Sequence, residues 1–275
     1  MQYSESDLAR LHLELEDILR EIIRVCDCLG INYFIIGGTA IGAFYNKGII
    51  PWDDDIDIGM KRAEFKRFIA EAPAVLAPGY FLQSFESEPE TPFFFIKVRK
   101  DGTSFIESSY VELDIHHGIF VDIFPFDNIP DSSFAEAVQR RLANFAVGCF
   151  KRSVLRNCVR DAVSFLPPAM VPKVSDALFS IIRLVPRKFW YRQMCFVQEL
   201  FNRKETAKCN IVIMPNDQIP NEDIEHLTRM PFGSLVVSAP GHFEKYLRHR
   251  YPSLQPVPPP EKRINHAPNV LSFND

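Results

Sequence analysis

No stretch of the 275-residue sequence reaches the roughly 18 consecutive apolar residues that a membrane-spanning helix needs. The opening residues are acidic and polar, so a secretory leader is not expected. The six cysteines (26, 28, 149, 158, 195 and 209) include no Cys-x-x-Cys pair of the kind that holds zinc, and no disulfide-scaffold density. Together these absences predict reduced thiols in a cytoplasmic protein. Disorder is excluded as well, because 47% of the residues are apolar, ample for a sizeable core. A chain of this length forms one large domain or a domain with an inserted portion.

Acidic charge is short in one region only. Residues 140–204 carry 13 Lys plus Arg against Asp161, Asp176 and Glu199, a local charge of +10. The rest of the chain carries −14, which recovers the total of −4. Aromatic and aliphatic residues are interleaved with these bases, as in helices that lie on an anionic membrane surface or clasp an acidic polymer. A solvated helical subdomain has the same composition. Arg152, Arg156 and Arg160 are four apart and share one face if this stretch is a single helix. Specific nucleic-acid binding is not expected from so acidic a remainder.

Residues 50–59, Ile-Pro-Trp-Asp-Asp-Asp-Ile-Asp-Ile-Gly, carry the sharpest signal. Asp53, Asp55 and Asp57 are two apart, and in a strand such residues share a face while Ile56 and Ile58 pack beneath. Carboxylates so close repel unless a cation lies between them, and oxygen ligands suit a hard divalent ion, Mg²⁺ or Mn²⁺. Asp53, Asp55, Asp57 and Glu64 also fall at positions 1, 3, 5 and 12 of an EF-hand loop. That loop is a lesser alternative, because Ile58 stands where its sharp turn requires Gly and Pro51 would break the entering helix.

Upstream, the apolar run Tyr33-Phe34-Ile35-Ile36 leads into Gly37-Gly38-Thr39 and a helix-compatible stretch. A strand, a glycine pair and a helix start let backbone N–H groups approach a phosphate, with Thr39 as cap and hydroxyl donor. Downstream, Asp122 sits inside the apolar run Gly118 to Pro125, where a carboxylate is costly unless paired or bound to metal. Lys97 and Arg99 share a face of the strand expected at 93–99 and are placed to meet phosphate oxygens or to guard a sheet edge. A capped helix is expected over residues 4–29, with a leucine and isoleucine stripe that covers the strand bearing the glycine pair.

Strand, Gly-Gly-Thr, short helix and Asp-Ile-Asp together resemble the nucleotidyltransferase fold of polymerase-beta-like enzymes. The stretches Gly38 to Ala43, Gly48 to Asp57, Lys97 to Thr103 and Gly118 to Asp127 are similar to the LicD family of phosphocholine transferases, with fukutin-type ribitol-phosphate transferases as more distant relatives. Val236 to Pro240, Tyr246, Leu247, Tyr251, Pro258 to Pro260 and His266 fit the family's tail, whereas Arg250-Tyr251-Pro252-Ser253 departs from its usual Tyr-Gly-Asp turn.

The resemblance implies an α/β (α+β) fold, a nucleotidyltransferase-like mixed sheet flanked by helices with a basic helical insertion. Its parts would be a catalytic core over 1–130, a basic helical portion over 131–229 and a returning segment over 230–275. It implies transfer of phosphocholine from CDP-choline, or another CDP-alcohol, to a hydroxyl of a free or lipid-linked glycan such as lipopolysaccharide or teichoic acid, releasing CMP. Asp55, Asp57 and Asp122 would hold the metal. Asp53 and Lys97 would assist, Gly37, Gly38, Thr39 and Arg99 would bind the diphosphate, and His266 enters by the tail resemblance. An aromatic cage for choline has candidates in Tyr45, Trp52, Tyr110 and Trp190. The alternatives are a nucleotidyltransferase releasing pyrophosphate and a non-catalytic subunit of glycan assembly. A glycosyltransferase with an Asp-x-Asp motif does not need the Gly-Gly-Thr turn.

Overall fold

Helix α1 (Glu5–Leu29) shows how the sequence sets its own boundaries. The Ser4 hydroxyl accepts from the Asp7 amide at 3.0 Å and caps the start. Gly30 ends the helix in the left-handed region at φ 63°, which costs a residue without a Cβ nothing. Between these points Leu11, Leu15, Ile18, Ile22 and Val25 form a buried stripe at helical spacing. The structure is a computed structural model and describes residues 3–253, 255, 263 and 265–273. Pro258 to Pro260 of the tail motif lie outside the described residues.

The central sheet contains β1 (Phe34–Ile35), β2 (Asp57–Lys61), β3 (Tyr80–Gln83), β4 (Ile96–Lys100) and β6 (Phe120–Ile129), in the order β1-β2-β6-β4-β3. Only β2 and β6 run parallel in that series; the other neighbours are antiparallel. The far end of β6 pairs with β7 (Lys208–Asn210), which pairs with β8 (Ile219–Pro220). Strand β5 (Ser104–Ile106) pairs with β11 (Val270–Ser272), and β9 (Thr228–Phe232) with β10 (Leu235–Ala239). Strand β6 is buried along nearly its whole length, which explains an apolar run with no period-two alternation. Helix α1 packs against β4, β6 and β10, and its stripe shares one core with Phe34 and Ile35 of β1.

Helices α2 (Gly37–Tyr45) and α3 (Arg62–Glu71) follow β1 and β2. Arg62 is buried and donates from Nε to Asp127 at 2.8 Å, and from Nη2 to Gln198 at 2.7 Å. It thereby ties α3 to β6 and to α7 (Arg187–Gln198). The helices between are α4 (Ser133–Arg152), α5 (Arg156–Ala162) and α6 (Val171–Leu184); α8 (Asn221–Glu225) and α9 (Phe243–Arg250) come later. The expected single helix through Arg152, Arg156 and Arg160 is interrupted. Leu155 is extended at φ −91° and ψ 98°, so α5 starts in a new direction. Arg156 then pairs with Asp176 of α6 at 2.7 Å, while Arg152 turns toward the Cys158 carbonyl.

Candidate active site

Strand register assembles the centre of the site. The parallel β2/β6 pair sets Asp57 opposite Asp122, and the antiparallel β4/β6 pair sets Lys97 opposite the same Asp122. Opposed residues in a sheet project from the same face, so two carboxylates and an ammonium form a row across three strands, with neighbours about 4.8 Å apart. Gln83 on β3 continues the row beside Lys97.

Lys97 is only 2% exposed. Its Nζ lies 2.9 Å from Asp122 Oδ1, 3.8 Å from Glu107 Oε2, and 3.2 Å from the centroid of the Phe120 ring. A cation removed from water survives only with such partners. Burial lowers the proton affinity of Lys97, opposed by Asp122 and Glu107. Burial likewise pushes the Asp122 carboxyl up to about 6, with Lys97 restraining the rise and Asp55 adding to it. Both partners shift toward neutrality, so desolvation outweighs their mutual attraction.

The glycine pair serves the acids from the other side. Gly37 is left-handed at φ 58°, and a Cβ there would meet Asp57 Oδ2 at 3.0 Å. A Cβ on Gly38 would come within 2.6 Å of Asp53 Oδ2. The missing side chains let two carboxylates close on the first turn of α2, where backbone N–H groups favour negative charge. Ile36, not Thr39, holds the cap position. The buried Thr39 hydroxyl instead accepts from the Asp57 amide at 2.8 Å and fixes the start of β2 against α2.

Strand β2 begins at Asp57, so Asp53 and Asp55 come from the irregular segment that leads into it and not from the strand itself. Burial, then Asp55 and Asp54, push the Asp53 carboxyl up to about 8. Burial, then Asp55, Asp122 and Asp53, push Asp57 well above the usual range. Asp55 rises through burial and Asp54, with His266 and Lys97 opposing. Four carboxyls that resist ionising together lack positive charge.

Asp54 faces a different set of partners and was passed over in the sequence, since its parity sets it apart from Asp53, Asp55 and Asp57. Its Oδ2 accepts from the Tyr3 hydroxyl at 2.7 Å and from the His266 amide at 2.8 Å, and its Oδ1 is buried without a hydrogen-bond partner. The His266 ring approaches Asp54 and Asp55 at 3.8 and 3.9 Å. Asp54, Asp55 and His266 offer ligand atoms within 4.8 Å of one another, a group able to hold a metal ion. Among the described residues no other trio gathers so closely. Asp122 is drawn instead to Lys97, and Asp57 lies against α2. The carboxylates, the orphaned Asp54 oxygen and the mutual repulsion fit a divalent cation, and the His266 imidazole adds a nitrogen ligand to them.

Arg99, expected to meet the diphosphate, lies two residues beyond Lys97 on β4. It is buried, and it donates to Gln83 Oε1 and to the Gly118 carbonyl, both at 2.6 Å. Of the four aromatic candidates, Tyr110 lies beside the site: its hydroxyl is shifted up by burial, Glu107 and Asp122, and Phe93 packs edge-on against it at 5.0 Å. Trp190 donates to the Ile182 carbonyl, Tyr45 packs on Phe44, and Trp52 carries Arg263 on its ring.

Residues 30–156 match the family model described as LicD/FKTN/FKRP, nucleotidyltransferase domain. This stretch is a LicD-family domain. The chain is 49% identical over 53 residues to lipopolysaccharide cholinephosphotransferase LicD of Haemophilus influenzae, covering 19% of this chain and 20% of that protein. It is 37% identical over 46 residues to ribitol 5-phosphate transferase FKRP of Homo sapiens, covering 17% of this chain and 9% of the relative. An uncharacterized protein of Rickettsia typhi is 34% identical over 68 residues, or 25% of this chain and 22% of that one. The matched stretches thus span about a fifth or less of these relatives. The LicD-type domain contains Gly37, Gly38, the four acids of residues 53–57, Lys97 and Asp122, whereas Tyr3 and His266 reach the site from outside it.

The raised carboxyls of the LicD-type domain dictate a pH response. The folded protein keeps protons that the unfolded chain releases above about pH 4, so metal-free stability falls as pH rises through 6 to 8. The melting temperature in chelator is expected to drop by about 5 °C or more between pH 5 and pH 8. A divalent cation should flatten that slope. Equal slopes with and without the cation would reject a metal at this cluster.

Proposed function

We propose that this protein transfers a phospho-alcohol, phosphocholine from CDP-choline first among the candidates, to a hydroxyl of a cell-surface glycan and releases CMP. The observation that carries this reading is the row Asp57, Asp122 and Lys97, closed on one side by the glycine start of α2. That side offers backbone N–H groups to a diphosphate. Asp55, with Asp57 and Asp122 or with Asp54 and His266, would hold Mg²⁺ or Mn²⁺. The ion, when bound, neutralises the diphosphate and stabilises charge on the departing CMP.

The chain's own groups do the rest. Lys97 keeps Asp122 charged within a buried setting, and Asp53 tightens the anionic shell at Gly38. Asp122, held near 6, has a proton affinity suited to receiving the acceptor's hydroxyl proton. Tyr110 and Phe93, with Glu107 nearby, provide an aromatic and acidic wall for a quaternary ammonium.

The test is incubation with CDP-choline, CDP-ribitol and CDP-glycerol in turn, with Mg²⁺ and a glycan acceptor, scoring CMP. Release from one donor in preference to the others is expected. Pyrophosphate from CTP in place of CMP from any CDP-alcohol would assign nucleotidyl transfer and overturn the proposal.

A further inference from the structure

Twelve of the sixteen large apolar side chains exposed among the described residues fall between residues 134 and 200. They are ordered along the helices. In α4 the inward face carries Gln139, Ala143, Ala146, Val147 and Phe150. Phe134, Val138, Leu142 and Phe145 recur at steps of four, four and three on another face, and all four are exposed. Phe145 is 67% exposed.

The same excess appears in α6, whose apolar arc is wider than the face it buries. Phe179 and Ile182 are partly covered, but Leu178, Ile181 and Leu184, spaced by three, are exposed at 38%, 58% and 81%. In α7, Phe189 and Phe196 are seven apart and both exposed. A water-soluble monomer seldom shows so much ordered apolar surface.

Basic residues rim these stripes. Arg141 stands four residues before Phe145 on α4, and Arg192 four before Phe196 on α7, so each guanidinium neighbours an exposed ring. Lys188 stands one turn before Arg192. All three are exposed, within the stretch whose local charge is +10. No helix among the described residues is long and apolar enough to cross a membrane. We propose that α4, α6 and α7 form a docking face that lies on an anionic lipid bilayer, burying its apolar stripes at the headgroup boundary while the bases meet lipid phosphates. A second copy of the chain would place one +10 surface against another, so charge favours the lipid. This inference rests on the surface alone and not on the transferase reading.

The full chain should be floated with vesicles of phosphatidylcholine alone and of phosphatidylcholine mixed with phosphatidylglycerol. Binding to the mixed vesicles, weakened by salt, is expected. Neutralisation by Arg141→Gln, Lys188→Gln and Arg192→Gln should cost about fivefold per charge, near a hundredfold together. The triple variant Phe145→Ser, Ile181→Ser and Leu184→Ser should lose at least tenfold, with circular dichroism and CMP release from soluble substrates unchanged. The proposal is overturned by wild-type binding that ignores phosphatidylglycerol, or by variants that bind like wild type. It is equally overturned if light scattering finds a dimer that the serine variant dissociates, which would make the face a contact between copies. Because flotation needs no turnover, its failure is distinct from failure of the CMP assay.

Discussion

Asp57→Asn is expected to leave less than about a hundredth of wild-type turnover while the metal-free protein stays at least as stable. Losing one electrostatic contribution at the reacting centre costs about 3 kcal/mol of barrier, close to 150-fold. Asp57 is opposed to Asp122 and lies against the first residue of α2, so its oxygen borders both the metal acids and the phosphate side. Its carboxyl is already forced well above the usual range by burial and by Asp55, Asp122 and Asp53. Asparagine keeps the shape and removes the repulsion, so the apo melting temperature should hold or rise. Turnover above about a tenth of wild type would end the assignment of Asp57 to the reaction. A melting temperature several degrees lower would show that its charge is structural.

Lys97→Met should be the most damaging single change to stability, and its cost should depend on pH. Methionine preserves the length of the stem but leaves Asp122 and Glu107 facing the Phe120 ring without their cation. Removing one member of a buried pair costs roughly 3–5 kcal/mol when the other must stay charged. Asp122 has an escape, since it can keep a proton. Its carboxyl is near 6 with Lys97 present and moves higher without it, so the folded variant retains a proton that the unfolded chain has released. The sign is therefore a loss that is small near pH 5 and grows to about 3 kcal/mol by pH 8. Urea denaturation of both proteins across that range reads it directly. A loss that stays constant with pH would mean that Lys97 contributes packing rather than charge.

Much of this was legible in the residues themselves. Ser4, the leucine stripe and Gly30 bound α1 by local rules. The acids were visible as types, because an Asp inside an apolar run is costly wherever it lies. Their partners were not visible. That Lys97 meets Asp122 follows from the antiparallel register of β4 on β6, a pairing between residues 25 apart that no local pattern encodes. Arg99 has the same parity as Lys97, yet one step of two along β4 takes it to Gln83 and the Gly118 carbonyl. Asp54 was hidden because its partners, Tyr3 and His266, come from opposite parts of the sequence. The break before α5 was missed because Arg152, Arg156 and Arg160 keep helical spacing through an interruption that Ser153 and Leu155 make.

The shared grip of Tyr3 and His266 on one oxygen of Asp54 turns a single amide proton into a gauge of the site. The His266 N–H is shielded only while residue 266 stays seated beside Asp54 and Asp55. Its hydrogen exchange therefore times how often that segment lifts away from the acids, with no substrate needed. A donor or ion that bridges the ring of His266 to Asp55 should slow this exchange, whereas a ligand elsewhere on the molecule should leave it unchanged.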